Sequence, residues 1–364
     1  MSAEPALANE SIYRATPLIE VNGERDAMIQ RLLISMEMNE NEGGLSALEL
    51  RFINTARMEQ SGVDYAFEFS DQDLLSLGNS IKVFAGDEND PQEIFRGVIT
   101  ALELNICEDQ QPQLVVLAED TLQKARMQRV THLYTDIAVR DIVEEIAQQL
   151  GMRTVISGLQ QTVEAEMQLN ESHLAFLRRL LQRYDADLQI VEDELHVSPR
   201  SDVRRNEISV ELNSQLRRLK AIADLSRQVS QVTFSGWDVS QGQNISVSRD
   251  SALDAGPGTG TTGAEMLANT IGERSEHITN VAARNEAEAQ ALVDARFSQS
   301  ARLFVCVDAI VEGNPAIRVG THVTLQGVGP RFENTYYVKG ACHRYDLAQG
   351  YQTEFKAETG HFGG

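Results

Sequence analysis

Cysteine, basic charge and long apolar runs are all scarce in this chain. Its 364 residues contain three cysteines, Cys107, Cys306 and Cys342, widely spaced and forming no CxxC pair. So sparse and odd a set argues against a disulfide framework and fits synthesis in a reducing compartment. Lysine and arginine number 32 against 54 acidic residues, a formal net charge of −22. A phosphate backbone is gripped mainly by Lys and Arg, so general electrostatic binding of nucleic acid or anionic lipid is disfavoured. No run approaches the roughly eighteen apolar residues of a membrane-spanning helix. The opening "MSAEPALANESIYRATPLIEVNGERD" has no basic region followed by an apolar one, and so no classical signal peptide. A soluble protein made in the cytosol, with no membrane insertion of its own, is expected.

Catalytic signatures are also absent. GxxxxGK[ST], HExxH and GxSxG do not occur, and the histidines at 132, 173, 196, 277, 322, 343 and 361 form no pair at metal-ligand spacing. Gly258, Gly260 and Gly263 in "GPGTGTTG" match GxGxxG literally. That motif needs a strand directly before it and a helix opening on its last glycine, whereas Pro257 and the threonines favour a linker. The sole tryptophan, Trp237 in "SGWDV", could be a ligand platform, but a lone strand Trp is more often core. No catalytic residue, cofactor or metal site is assigned.

With 42% apolar and 24% charged residues the chain reads as globular, long enough for two or three domains. Residues 18–118 have a period of two. "LLISMEM" alternates at Leu32, Ile34, Met36 and Met38, and "ALELRFI" sets Leu48, Leu50 and Phe52 on one face. "SIKVFAG", "EIFRGVITALEL" and "PQLVVLAE" continue the series, implying a barrel or sandwich. The period then becomes helical. Val139, Ile142, Val143, Ile146, Ala147 and Leu150 draw one stripe closed by Gly151, and Leu174, Leu177, Leu181 and Tyr184 draw a second behind Asn170 as N-cap. A hairpin in "DLQIVEDELHVSP" completes a compact α/β unit over 129–203. Strands resume at "EISVEL" and "VTFSGWDV", broken by the Gly/Thr-rich stretch Asp254–Glu265, which should be mobile and cut first by proteases. An Ala-rich helix with Ala289, Leu292, Val293 and Phe297 on one face follows, and strands close the chain.

"YYVKGACHRYDLAQGYQTEFKAET" places Cys342 beside His343, with Asp346 nearby. A nucleophile and its base must meet within about 3 Å. On a strand Tyr336, Val338, Gly340 and Cys342 share one face, and Tyr337, Lys339, Ala341 and His343 the other, so the pair points apart. The stretch instead echoes an earlier one. "LGNSIKVFAG", "IFRGVITALEL" and "QLVVLAED" return as "VGTHVTLQG", "TYYVKGACHRYDL" and "YQTEFKAET", with Val98 answering to Val338 and Leu117 to Phe355.

These phrases, in this order with "TDIAVRDIVEEIAQQLGM", "NESHLAFLRRLLQRYDADLQIVEDELHV" and "SGWDV", resemble the phage late control protein D family: tail hub proteins of contractile phages, similar to the hub half of VgrG spike proteins. The resemblance covers about residues 10–358. It implies an α+β, mainly β fold, with two tube-type antiparallel β-barrel domains separated by a small α/β domain. The boundaries are 1–128, 129–203 and 204–364, the last interrupted by a flexible linker (about 251–264) and a helical segment (about 265–300). It further implies a non-enzymatic structural hub, a homotrimeric ring adapting a six-fold inner tube to a three-fold spike. The expected partners are a separate spike protein, inner tube proteins and other baseplate components, with assembly from the bacterial cytoplasm into a phage tail or releasable injection particle. The chain ends where fused relatives continue into a spike, so Thr359, Gly360, His361 and Phe362 are expected next to the spike. The competing reading is a tail-associated cell-wall-binding or peptidoglycan-degrading protein, for which 129–203 is loosely similar to a LysM module.

Overall fold

Alternating apolar residues need a sheet with one face on a core, and most of this chain supplies one. The computed structural model describes residues 13–58, 65–69, 74–87, 89–279 and 281–363; residues 1–12 of the expected first barrel lie outside them. Half of the described residues are strand. Among the described residues twelve strands form one sheet. Across it run Tyr13–Val21, Ser80–Asp87, Pro91–Asn105, Gln113–Glu119, Ala47–Ile53, Leu33–Asn41, Thr335–Asp346, Gly350–Thr359, Val305–Glu312 and Leu216–Ala223, all antiparallel to their neighbours. Asn206–Glu211 lies parallel to Thr321–Gln326, which pairs with the start of Thr335–Asp346.

The sheet covers two cores. One holds Ile19, Met36, Met38, Leu50, Phe52, Ile81, Val83 and Val116; the other holds Val307, Ala309, Val323, Leu325, Tyr336, Val338 and Phe355. Strict alternation fails at bulges, two of which overturn faces read from the sequence. Between Leu33 and Ser35 the register slips, so Leu33 enters the core with Met36 and Met38, while Leu32 ends helix α1 (Ala27–Leu32) and Ile34 is only half-buried. A second slip between Val338 and Gly340 moves Ala341, His343 and Tyr345 to the face of Tyr336 and Val338. The facing set read from the sequence therefore holds only as far as Val338.

The echo in the sequence is a repeat of pairing. Strands 33–41, 47–53, 80–87, 91–105 and 113–119 correspond to 216–223, 305–312, 321–326, 335–346 and 350–359. Each set has the same neighbours in the same order. Gly78 and Gly320, at φ +87° and +89°, donate their N–H to Ile99 and Val338. Glu119 lies opposite Val98, and Glu358 opposite Tyr337. Both middle hairpins slip one residue later, after Ile99 and after Val338, and both outer strands slip at corresponding places, Leu33/Ser35 and Leu216/Arg218. The true partner of Val338 is thus Ile99, and that of Phe355 is Val116, each one residue from the match read in the sequence.

Two smaller layers are set into this frame. Helix α2 (Val139–Gln149) buries Val139, Ile142, Val143, Ile146 and Ala147 completely, and Gly151 takes φ +68° after its last turn. Helix α3 (His173–Gln182) is capped by Ser172, whose hydroxyl accepts from the Ala175 N–H at 3.2 Å. Asn170, expected at that cap, sits in the strand Thr162–Ser172 at φ +47°. The hairpin Ala186–Val191/Glu194–Pro199 completes this layer, whose core also takes in Leu122 and Ala125. The second layer, between 223 and 305, sets Gln231–Asp238 between Gln243–Arg249 and Ser275–Ile278. Helix α4 (Gly263–Thr270) opens on a Thr262/Glu265 capping box, and helix α5 (Glu286–Arg302) lays Ala289, Val293 and Phe297 on this sheet. Trp237, read as core, is 59% exposed; on its strand Val232 and Phe234 fill the buried face.

The Gly/Thr-rich stretch is a correction of a different kind. Its composition promises no burial, yet backbone groups hold it on both sides. Asn334 accepts from the Thr259 N–H (3.0 Å) and donates to its carbonyl (2.8 Å). Gly360 N–H donates to the Ala255 carbonyl (2.6 Å), and Thr359 donates to that of Pro257. Thr261–Thr262 then pairs with His361–Phe362. Glycine at 258 and 260 permits φ +112° and +115°. A Cβ at 260 would strike the Gly363 and Phe362 carbonyls. The segment is a strap.

Candidate assembly site

The hairpin 335–359 belongs to both cores. Its open end supplies Tyr336, Val338, Phe355 and Ala357 to one, and its tip supplies Tyr345 and Tyr351 to the other. At the bulge the strand changes partner. Thr335–Tyr337 pairs with 321–326, and Gly340–Asp346 pairs with 33–41 in a register that sets Met38 opposite His343 and Ser35 opposite Asp346.

Cys342 and His343 stay apart, as strand geometry requires. Burial pushes the Cys342 thiol up to about 11, and it lies beside Arg344. His343 is fully buried, and its Nδ1 lies 2.7 Å from the Tyr351 hydroxyl. Burial, with Arg318 adding its charge, pulls the imidazole down to about 3. A neutral buried imidazole and a protonated thiol on opposite faces form no nucleophile–base pair. Asp346 instead accepts the N–H groups of Ala348 and Gln349, closing the hairpin turn.

A buried ionic clasp, which the sequence did not announce, joins the layers to the sheet. Arg200 pairs with Glu42 and with Glu358 (3.2 Å), its guanidinium 3.1 Å above the Tyr337 ring. Arg302 pairs with Asp185 (2.5 Å) and with Asp254 of the strap (3.1 Å); Lys339 reaches Glu358 at 2.7 Å. Burial opposes the charge on Arg302, but Asp185, Asp254 and Glu358 outweigh it and raise its pKa. Burial raises Glu42, and Arg200 partly offsets this. A charge pattern scattered over 42, 185, 200, 254, 302 and 358 has no spacing to read.

Of the residues expected beside a spike, Thr359 and Gly360 are buried and His361 and Phe362 are half-buried. Phe362 packs edge-on to Phe304 and Phe332. A cleft of about 930 Å³ between the two smaller layers is lined by Glu166, Arg179, Arg183, Glu276 and Arg296. These charges already pair with one another (Arg183–Glu166 2.6 Å, Arg296–Glu276 2.7 Å). Among the described residues no cluster of His, Cys, Asp and Glu could hold a metal, and no helix is long and apolar enough to cross a membrane.

Among the described residues several strands pair on one side only, strand 13–21 and strand 206–211 among them; two such edges are related to each other through the repeat. Strand 91–105 pairs with 80–87 only up to Val98, so its second half has a neighbour on one side alone. Strand 216–223 ends the sheet.

Among solved structures the chain is similar to the 43 kDa tail protein of prophage MuSo2 from Shewanella oneidensis, with TM-score 0.68 and 10% identity over 94% of this chain and 97% of that one. It is similar to a tail protein from Neisseria meningitidis MC58, with TM-score 0.66 and 11% identity over 94% and 96%. It is also similar to an E. coli component of the type VI secretion system, itself described as resembling T4 tail proteins gp27 and gp5. There the TM-score is 0.58 and the identity 12%, over 94% and 76%. At such identities the likeness is one of fold, and the fold is that of phage-tail and secretion-system tail proteins. No curated protein sequence matches the chain. The family model described as the Alg8 N-terminal domain matches residues 24–346, and by that match the chain belongs to the Alg8 N-terminal domain family.

Proposed function

We propose that the chain is a structural, non-enzymatic hub of a contractile tail or injection particle. In this reading residues 1–128 and 204–364 act as two tube-type barrels around the 129–203 layer. Three chains form a ring with six quasi-equivalent units toward an inner tube and three-fold symmetry toward a spike. The carrying observation is the five-strand repeat with its two shared bulges, since one chain with two like units is what matching six-fold to three-fold symmetry needs. The tail proteins sharing the fold support the same reading. His361 and Phe362, beside the strap, are proposed to border the spike.

The test is assembly. Light scattering of the chain with tube and spike proteins should give a complex containing three copies, and electron microscopy a ring at the tube–spike junction. A stable dimer, or a monomer with both partners present, would overturn it. Clearing of a peptidoglycan suspension, abolished by a point substitution, would favour the wall-degrading alternative.

A further inference from the structure

The two unpartnered edges correspond, through the repeat, to edges that are paired inside the chain. Strand 33–41 corresponds to 216–223, and the tip half of 335–346 corresponds to 101–107. Within the chain, 33–41 pairs with that tip half, and the tip closes the neighbouring core with Tyr345 and Tyr351. The second core has no such tip: strand 216–223 stops the sheet, while the matching tip runs on past Val98 with strand 113–119 as its one partner. Within the chain these two edges are not paired with each other, which leaves each open to a second copy.

We propose that Leu102–Cys107 of one chain adds antiparallel to edge strand Leu216–Ala223 of another. The repeat sets the register. Met38 opposite His343 becomes Ala221 opposite Leu104; Met36 opposite Tyr345 becomes Leu219 opposite Ile106; Ser35 opposite Asp346 becomes Arg218 opposite Cys107.

Two independent observations favour this occupant. Leu102, Leu104 and Ile106 are 38%, 51% and 61% exposed, whereas the corresponding Ala341, His343 and Tyr345 are 3%, 0% and 6%. Apolar side chains alternating along a free edge are a template for strand addition. In the proposed register they meet Leu219, Ala221 and Ala223, which lie half-buried against the second core. The charges also match. Strand 216–223 carries Arg217, Arg218 and Lys220 and no acid, while 102–109 carries Glu103, Glu108 and Asp109 and no base. Two patches of opposite sign on a chain of net charge −22 favour head-to-tail contact between copies. Such a contact is heterologous, and closure after three copies, as the hub reading requires, makes it a ring.

This pairing rests on the hub reading, and the experiment separates the two. Cys107 is exposed, so Arg218→Cys alone places two thiols opposite each other across the proposed junction, where Cα atoms lie about 5 Å apart. Mild oxidation should convert most of the protein to a covalent trimer on a non-reducing gel, and adding Cys107→Ser should abolish it. Lys220→Cys, displaced by two residues, should cross-link at least ten-fold less. Ile106→Asp should leave the circular dichroism spectrum unchanged and weaken self-association at least ten-fold. A trimer by light scattering without the 107–218 disulfide would overturn the pairing and leave the hub standing. A chain that stays monomeric and uncrosslinked would overturn both.

Discussion

His343 shows how one side chain ties stability to pH. The folded chain keeps its imidazole neutral to about pH 3, against an ordinary value of 6.5. Between those values the unfolded chain takes up a proton that the folded chain refuses, so stability is full above pH 6.5 and falls as pH drops. The slope from this group is about 1.4 kcal/mol per pH unit. His343→Gln should flatten the acid limb of a series of urea midpoints from pH 7 to 4; an unchanged slope would show that other groups carry it. Arg302 makes a second test. Its side chain is 5% exposed between Asp185 and Asp254, and Arg302→Ala leaves both carboxylates without it. A loss of about 3 kcal/mol in urea unfolding is expected. The two residues differ in legibility. That Cys342 and His343 point apart follows from strand period alone. The role of Arg302 could not be read, because its partners lie 117 and 48 positions away.

At the scale of elements, period was a good guide and bulges were its failure. The stripes of α2 and α5 could be read because burial selects for them directly, and Val139–Ala147 is buried where the period put it. A bulge leaves no mark in hydrophobicity: nothing in "YYVKGACH" says that Lys339 is extra, and from there the predicted faces exchange. The strap was misread because composition reports side chains, while this segment is held by its backbone. That gives a prediction opposite to the one composition suggests. In native protein the Gly256–Gly263 stretch should resist a nonspecific protease, and Asn334→Ala, which removes both bonds to Thr259, should make it a preferred cut. Gly260→Ala, at φ +115° against the Gly363 carbonyl, should cost about 2 kcal/mol in thermal or urea unfolding.

For the whole molecule, the repeat matters more than any site. Its existence was visible as an echo of strands; its alignment was not, being one residue out, and the free edges appear only once strand partners are known. The proposed ring should depend on salt where steric fit alone would not. Raising sodium chloride from 0.05 to about 1 M should slow trimer formation, since Arg217, Arg218 and Lys220 would find Glu103, Glu108 and Asp109 through a shorter screening length. Stopped-flow light scattering would measure it, and an association rate indifferent to salt would count against charge guidance.

The shared hairpin also has a consequence for synthesis. The core around Met36, Leu50 and Ile81 is made early, but the strand and tyrosines that close it, Gly340–Tyr351, emerge some 300 residues after Met36. While the ribosome works through the intervening sequence, the first half waits with strand 33–41 unpaired on one side, an interval of at least about 15 s at ordinary elongation rates. Folding order and chain order therefore run against each other, and the first half is expected to stay open until nearly the last strand is out. A ribosome-stalled chain ending near residue 330 should be cut readily within 13–119, and one stalled with residue 359 clear of the exit tunnel should not.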